Sequence, residues 1–265
     1  MNGRIRLPGS ATFLRGCAAS LGVWGVAEAA SRCESSSFEP WDADWDGRAP
    51  PNDGKRRAYG RTRHLLLVRH GQYKRDGTLT DLGRKQASAV GKRLREITEG
   101  KRVVAMHNSD VTRAMETADL IAPHLPDVPR TAADRLLAEG CPVLPDPTHP
   151  TWRPNPEACD KDGARIELGF RKYVQRDLDG KSPEVVLADD AEPELLEPSY
   201  EVVVCHGNVI RYFVMRALQL NPRAWLRTSH ANCGITHLVV KRDGGVALMG
   251  FGDSGFHPPA NVTFN

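Results

Sequence analysis

The sequence predicts an α/β protein, a three-layer α/β/α sandwich around a mostly parallel central sheet. Short, continuous apolar runs recur along the chain: Leu65-Leu66-Leu67-Val68, Val103-Val104-Ala105-Met106 and Val202-Val203-Val204-Cys205. Strands buried on both faces read this way. Amphipathic stretches with a period near 3.6 lie between them, and strand–helix alternation of this kind builds a sheet covered on both sides. At 265 residues there is enough chain for one full domain with appendages.

The elements follow in order. Met1 to Arg15 carries Arg4, Arg6 and Arg15 and no acid, and Gly16 to Ala30 is small and apolar, broken by Glu28. This run is shorter than the ~20 residues a membrane span needs. Residues 1–35 therefore read as a targeting or membrane-anchor segment. A mitochondrial-type leader, a weak anchor and a cleaved secretory signal compete, and the Arg-rich, acid-poor flank favours the first two. Residues 36–60, rich in Ser, Pro, Gly and charge, read as a linker. Within it, Trp41-Asp42-Ala43-Asp44-Trp45-Asp46 is read equally as unstructured chain or as a docking peptide, since tryptophans are costly to leave in water. The folded domain is placed at 61–265.

After the first strand, Thr80 is the expected N-cap of a helix carrying Leu82, Ala87, Val90, Leu94 and Ile97 on one side, stopped by Gly100. The second strand leads to a helix through Arg113, Thr117 and Ile121, ended by Pro123. Residues 130–165 are Pro-rich and read as a long excursion above the sheet, followed by a helix from about Gly163 to Arg176. The third strand is followed by a helix over 209–220, closed by Asn221-Pro222. Ile235 to Val240 and Val246 to Met249 complete the strands as neighbours joined through Asp243-Gly244-Gly245.

A net charge of +3 argues against a nucleic-acid partner, so cations matter only where they are placed. The six cysteines form no CxxC pair and no regular spacing, and read as free thiols in a reduced compartment, with neither a disulfide framework nor a zinc site. The nine histidines show no HxxxH or HExxH, and no GxGxxG or GxxxxGK[ST] occurs. No metal and no cofactor is expected.

Two strands end alike, in Arg69-His70-Gly71 and Cys205-His206-Gly207. Ligands of open parallel sheets bind beyond the carboxyl ends of the strands, so both histidines stand where a site belongs. A neutral His70 held in one tautomer can attack a phosphoryl group. Arg69 offers a planar, permanent cation matched to phosphate oxygens. Arg113, near a helix N-terminus that itself favours anions, is a second candidate, against a plain surface ion pair with Glu116. His206, if protonated, would add a cation and a donor to the transferring group, against a satisfied core histidine. Glu139 is the candidate proton donor to the leaving oxygen, with Asp253 as a competing acid.

These motifs resemble those of the histidine phosphatase (phosphoglycerate mutase-like) superfamily. Arg69-His70-Gly71-Gln72 is similar to its RHG signature, Leu79-Thr80-Asp81-Leu82-Gly83 with Gln86-Ala87 to its LTxxGxxQA helix start, Ser109 to Ala118 to its SxxxRAxxTA segment, and His206-Gly207 to its second histidine. The Trp-Asp pairs, Tyr73, Asp162-Gly163-Ala164-Arg165-Ile166-Glu167 and Asn208-Val209-Ile210-Arg211-Tyr212 resemble a mitochondrial serine/threonine protein phosphatase branch of that family. The resemblance implies a phosphoglycerate mutase-like fold and a metal-independent phosphatase working through a phosphohistidine. In it His70 is the nucleophile, Arg69, Arg113 and His206 bind phosphate, and Glu139 donates the proton. It also implies phosphoprotein substrates, a mitochondrial location with a membrane anchor at the N-terminus, and activating self-association into a dimer or higher oligomer through Trp41, Asp42, Trp45 and Asp46. Gln72 stands where many members have Glu, which argues against mutase activity. The alternatives are a small-molecule phosphomonoesterase or phosphoglycerate mutase, and an oligomeric mitochondrial scaffold.

Overall fold

A computed structural model describes residues 40–49, 61–176 and 197–264. The 1–35 segment and the linker residues 50–60 lie outside the described residues. Asp42–Asn265 forms one compact unit.

Five strands, β1 (Arg63–Arg69), β2 (Val103–Asn108), β3 (Ser199–Cys205), β4 (Ile235–Val240) and β5 (Val246–Asp253), form one sheet in the order β2-β3-β1-β4-β5. The pairs β2–β3 and β1–β3 are parallel, whereas β1–β4 and β4–β5 are antiparallel, so the sheet is mixed. The antiparallel edge follows from connection length: the short Asp243-Gly244-Gly245 turn can return the chain only as a hairpin.

Alternation along β1 assigns the layers. Leu65 and Leu67 point into one core with Ile166, Phe170, Val203, Val209 and Phe213. Leu66 and Val68 point into the other with Val90, Leu94, Ala114, Ala118 and Val204. Helices α1 (Asp81–Thr98) and α2 (Thr112–Ile121) cover the second face, and α3 (Pro156–Tyr173) and α4 (Gly207–Ala217) the first. Thr80 caps α1, its hydroxyl accepting from the Gly83 N–H. The helix α3 begins at Pro156, with Asn155 as its cap, well before the expected start near Gly163. An Asn-Pro pair is a cap followed by a proline whose missing N–H is harmless in a first turn, and it stood hidden in the Pro-rich excursion.

The expectation of free thiols is corrected for one pair. Cys141 and Cys159 form a disulfide, their Cα atoms 4.7 Å apart, because the excursion folds back and lays the segment after Glu139 along α3. Spacing rules for short motifs do not see such a pairing. Cys205 and Cys233 are buried free thiols.

Part of the Trp-Asp segment is seated on the body. The Trp45 ring lies 5.7 Å from that of Phe170, and its indole N–H donates to the Gly244 carbonyl at 2.8 Å. The Asp46 carboxylate accepts from Arg176, whose side chain is only 1 % exposed.

Candidate active site

The register of the parallel strands assembles the site. Arg69 pairs with Cys205 across β1 and β3, so the next residue of each strand, His70 and His206, stands at the same level. Their ring centroids are 5.1 Å apart. Asn108 of β2 pairs with Val204, which brings Ser109 alongside. Three carboxyl ends thus meet at one place, as open α/β sheets require of a site.

His70 is held in a single tautomer. Its Nδ1 lies 2.8 Å from the Gly71 carbonyl oxygen, which can only accept, so the proton is on Nδ1. Its Nε2 accepts from Arg113 Nε at 3.0 Å, leaving a lone pair directed at a cation. Burial, reinforced by the charges of Arg113 and Arg69, pushes its pKa well below the ordinary value, and the ring is neutral. Arg113 is gripped as well: its guanidinium covers the Tyr73 ring at 4.7 Å. The expected alternative, an ion pair between Arg113 and Glu116, is not what forms; Glu116 instead takes the Leu79 N–H and Arg84.

His206 supplies a cation only if its ring is protonated, and its surroundings oppose that. It is fully buried, and desolvation, reinforced by the charges of Arg113, Arg165 and Arg69, pushes its pKa well down. Its Nε2 meets the Ser109 hydroxyl at 2.9 Å. Its Nδ1 has no hydrogen-bond partner, so it is not a satisfied core histidine either. Arg69 donates to the His230 carbonyl at 2.8 Å. Its charge and that of Arg113 act on the Glu139 carboxyl, yet burial outweighs them and raises the Glu139 pKa. The competing acid, Asp253, is exposed and accepts from the Gly255 N–H within its own turn.

Sequence reasoning assigned no role to several supporting groups. Thr117 accepts from the Gly71 N–H at 3.0 Å, and Asn232 donates to the His70 carbonyl at 3.1 Å. Arg211 bonds Asn208 and feels the Glu139 charge. Ser109 and Thr117 stood inside a recognised motif; His230 and Asn232 lie in a loop without pattern.

The sequence profile of the histidine phosphatase superfamily, branch 1, matches residues 65–141 and 191–251. This chain belongs to the histidine phosphatase superfamily. Among curated relatives, the protein named serine/threonine-protein phosphatase PGAM5, mitochondrial, of Rattus norvegicus is 43 % identical over 247 residues, covering 84 % of this chain and 80 % of its own. The Caenorhabditis elegans protein of that name is 37 % identical, covering 84 % and 80 %. Among solved structures, the phosphoglycerate mutase of Plasmodium falciparum is 36 % identical with a TM-score of 0.50, covering 72 % of this histidine phosphatase and 91 % of that chain.

Proposed function

We propose that this histidine phosphatase is a protein serine/threonine phosphatase that hydrolyses phosphomonoesters through a phosphohistidine on His70. The single observation that carries the reading is the His70 ring, with its proton fixed on Nδ1 by the Gly71 carbonyl and its Nε2 lone pair set against Arg113. The names of the relatives support the substrate class.

In the first step the phosphate monoester displaces Arg113 from Nε2, and Arg69 and Arg113 take its oxygens. The Nε2 lone pair attacks phosphorus, the P–O bond to the leaving group breaks, and Glu139 delivers its proton to the departing oxygen. The Glu139 carboxylate then removes a proton from water, which attacks phosphorus, and the P–N bond breaks to release phosphate. His206 donates to the equatorial oxygens from its place beside His70. Phosphoryl transfer is governed by positioning and charge stabilisation, which Arg69 and Arg113 supply, so the reading assigns no step to a metal ion; a chelator is expected to leave the rate unchanged.

The domain is taken as 61–265, preceded by a mitochondrial anchor at 1–35 and a linker at 36–60. Self-association is placed at Trp41, Asp42, Trp45 and Asp46. Its support is that the body holds a seat for Trp45 and Asp46, formed by Phe170, Gly244 and Arg176, which the same residues of a second copy would fit. A second reading, phosphoglycerate mutase, draws on the Plasmodium falciparum likeness and requires a phosphoglycerate to exchange its phosphate between hydroxyls rather than release it.

Rapid-quench trapping with a radiolabelled phosphoserine peptide tests the proposal. The expected result is protein-bound label that is acid-labile, base-stable and absent from His70→Ala. Turnover by His70→Ala at a near-normal rate overturns it.

A further inference from the structure

The stretch Asp162-Gly163-Ala164-Arg165 of α3 takes no part in the chemistry above, yet it carries the segment that presents Glu139. Arg165 Nη1 donates to the carbonyls of Arg135 at 3.2 Å and Ala138 at 2.6 Å, and Nη2 to that of Glu139 at 3.0 Å. The same Nη2 donates to Asp162 Oδ1 at 2.9 Å, while Asp162 Oδ2 accepts from the Cys141 N–H at 3.2 Å. One ion pair on one helical turn therefore holds the backbone on both sides of Glu139 and Gly140. The Cys141–Cys159 disulfide ties the same place to the start of α3. From the other side Asn208, two residues beyond His206, donates to the Gly140 carbonyl at 3.0 Å.

The contact admits no added atom. A methyl at Gly163 would stand 2.4 Å from the Pro142 carbonyl oxygen, and one at Gly169 2.7 Å from that of Leu136. A methyl at Gly140 would stand 2.5 Å from the Asp162 carboxylate. The segment over 136–142 thus lies flush on α3 because glycines face it, and the guanidinium of Arg165 reaches three carbonyls at once because of that closeness. A compact ammonium lacks the fork needed for this.

We propose that Arg165, oriented by Asp162, is a positioning residue for the Glu139 carboxyl, and that the Cys141–Cys159 crosslink is the covalent half of the same clamp. The inference rests on Glu139 acting as proton donor. A donor must stand within hydrogen-bond reach of the leaving oxygen, and a shift of 1 Å at such a group costs about 100-fold.

The test compares kcat/KM for p-nitrophenyl phosphate, whose leaving group departs without a proton, with that for a phosphoserine peptide, whose alkoxide needs one. With the first phosphoryl transfer irreversible, kcat/KM reports steps only up to it, so the later use of Glu139 as a base does not enter. Glu139→Gln sets the reference: a loss of about 100-fold on the phosphopeptide, and about threefold or less on the aryl ester. Arg165→Met and Cys159→Ser are expected to reproduce this selectivity at about tenfold, with partial recovery in Arg165→Lys. Gly163→Ala, which displaces Pro142 without altering a charge, is expected to do the same, and it decides the matter if Arg165→Met does not fold. Equal losses on both substrates, or no loss, in a folded Arg165→Met overturn the positioning role while leaving the donor intact. Absence of selectivity in Glu139→Gln itself removes the donor assignment and the clamp's purpose with it.

Discussion

Gly83, in the first turn of α1, is the point where the loop that follows His70 meets its support. A methyl added there would lie 2.0 Å from the Gln72 carbonyl oxygen, with the Gln72 carbonyl carbon at 2.9 Å and its nitrogen at 3.0 Å. Ordinary contact begins near 3.4 Å, so Gly83→Ala forces the two backbones apart by about 1.4 Å, and close-packed interiors offer no slack to absorb this. The displaced residue is Gln72, two positions beyond His70, whose carbonyl accepts the Thr80 N–H at 3.0 Å and whose own N–H is held by Gln86 at 2.8 Å. Overpacking of this kind destabilises by about 1–3 kcal/mol, and about 1 Å of misplacement near a reacting group costs on the order of 100-fold in rate. The expectation is a folded protein with phosphorylation of His70 slowed about 100-fold. Rapid-quench kinetics and urea denaturation measure the two effects separately. Gly250→Ala, where an added methyl meets nothing within 4 Å, serves as the neutral control. A folded Gly83→Ala that phosphorylates within about twofold of the parent rate would refute the claim that this contact sets the position of His70.

Other perturbations probe the remaining parts. Ser109→Ala removes the hydroxyl 2.9 Å from His206 Nε2 and strands a buried polar atom, at a cost of about 1–3 kcal/mol; kcat is expected to fall about tenfold, and an unchanged kcat would dissociate His206 orientation from turnover. The pKa of His70 is depressed by burial and that of Glu139 raised by burial. The His70 ring should therefore stay neutral on the acid side of pH 6.5, and the phosphopeptide kcat/KM should decline as Glu139 loses its proton above the usual carboxylate range; a His70 imidazole that titrates near 6.5 by NMR in the free enzyme would contradict this. Glu201 would be raised by burial alone, but hydrogen bonds from His107 and Arg63 bring it down to about 2 from 4.5. A folded-state pKa below the unfolded one stabilises above pH 4.5, and that stabilisation, about 3 kcal/mol, is lost as pH falls from 4.5 towards 2. Glu201→Gln should abolish this portion of the pH dependence in urea titrations, and a parallel curve for the variant would count against it. Asp46→Ala leaves the buried Arg176 with only Asp44 at 3.6 Å and the Ala43 carbonyl at 3.2 Å, with an expected loss of about 3 kcal/mol by denaturation; sedimentation on the same sample reads self-association, and an unchanged stability and mass would remove the seat from both roles.

Much of the fold and part of the site were legible because they are short-range properties. Apolar runs such as Val202-Val203-Val204 demand burial on two faces wherever they occur, and Thr80, Gly100 and Pro123 act on the backbone within a turn of their own positions. His70 and His206 could be placed together because each follows a strand, and parallel strands put their ends on one side. What sequence determined by itself was therefore the set of elements, their order and the residues at the strand ends. Only the tertiary structure decided the rest, since it turns on distances between residues remote in the chain. The cation facing His70 Nε2 is Arg113, arriving from α2; the pKa of His206 is lowered because the surrounding layers exclude water. Cys141 meets Cys159 because the excursion folds back on α3, and Glu139 stands near the arginines because Arg165 and Asp162 grip its backbone. Burial and charge at those points are sums over neighbours brought in by the packing of two layers on a sheet, a quantity that no local pattern of residues encodes.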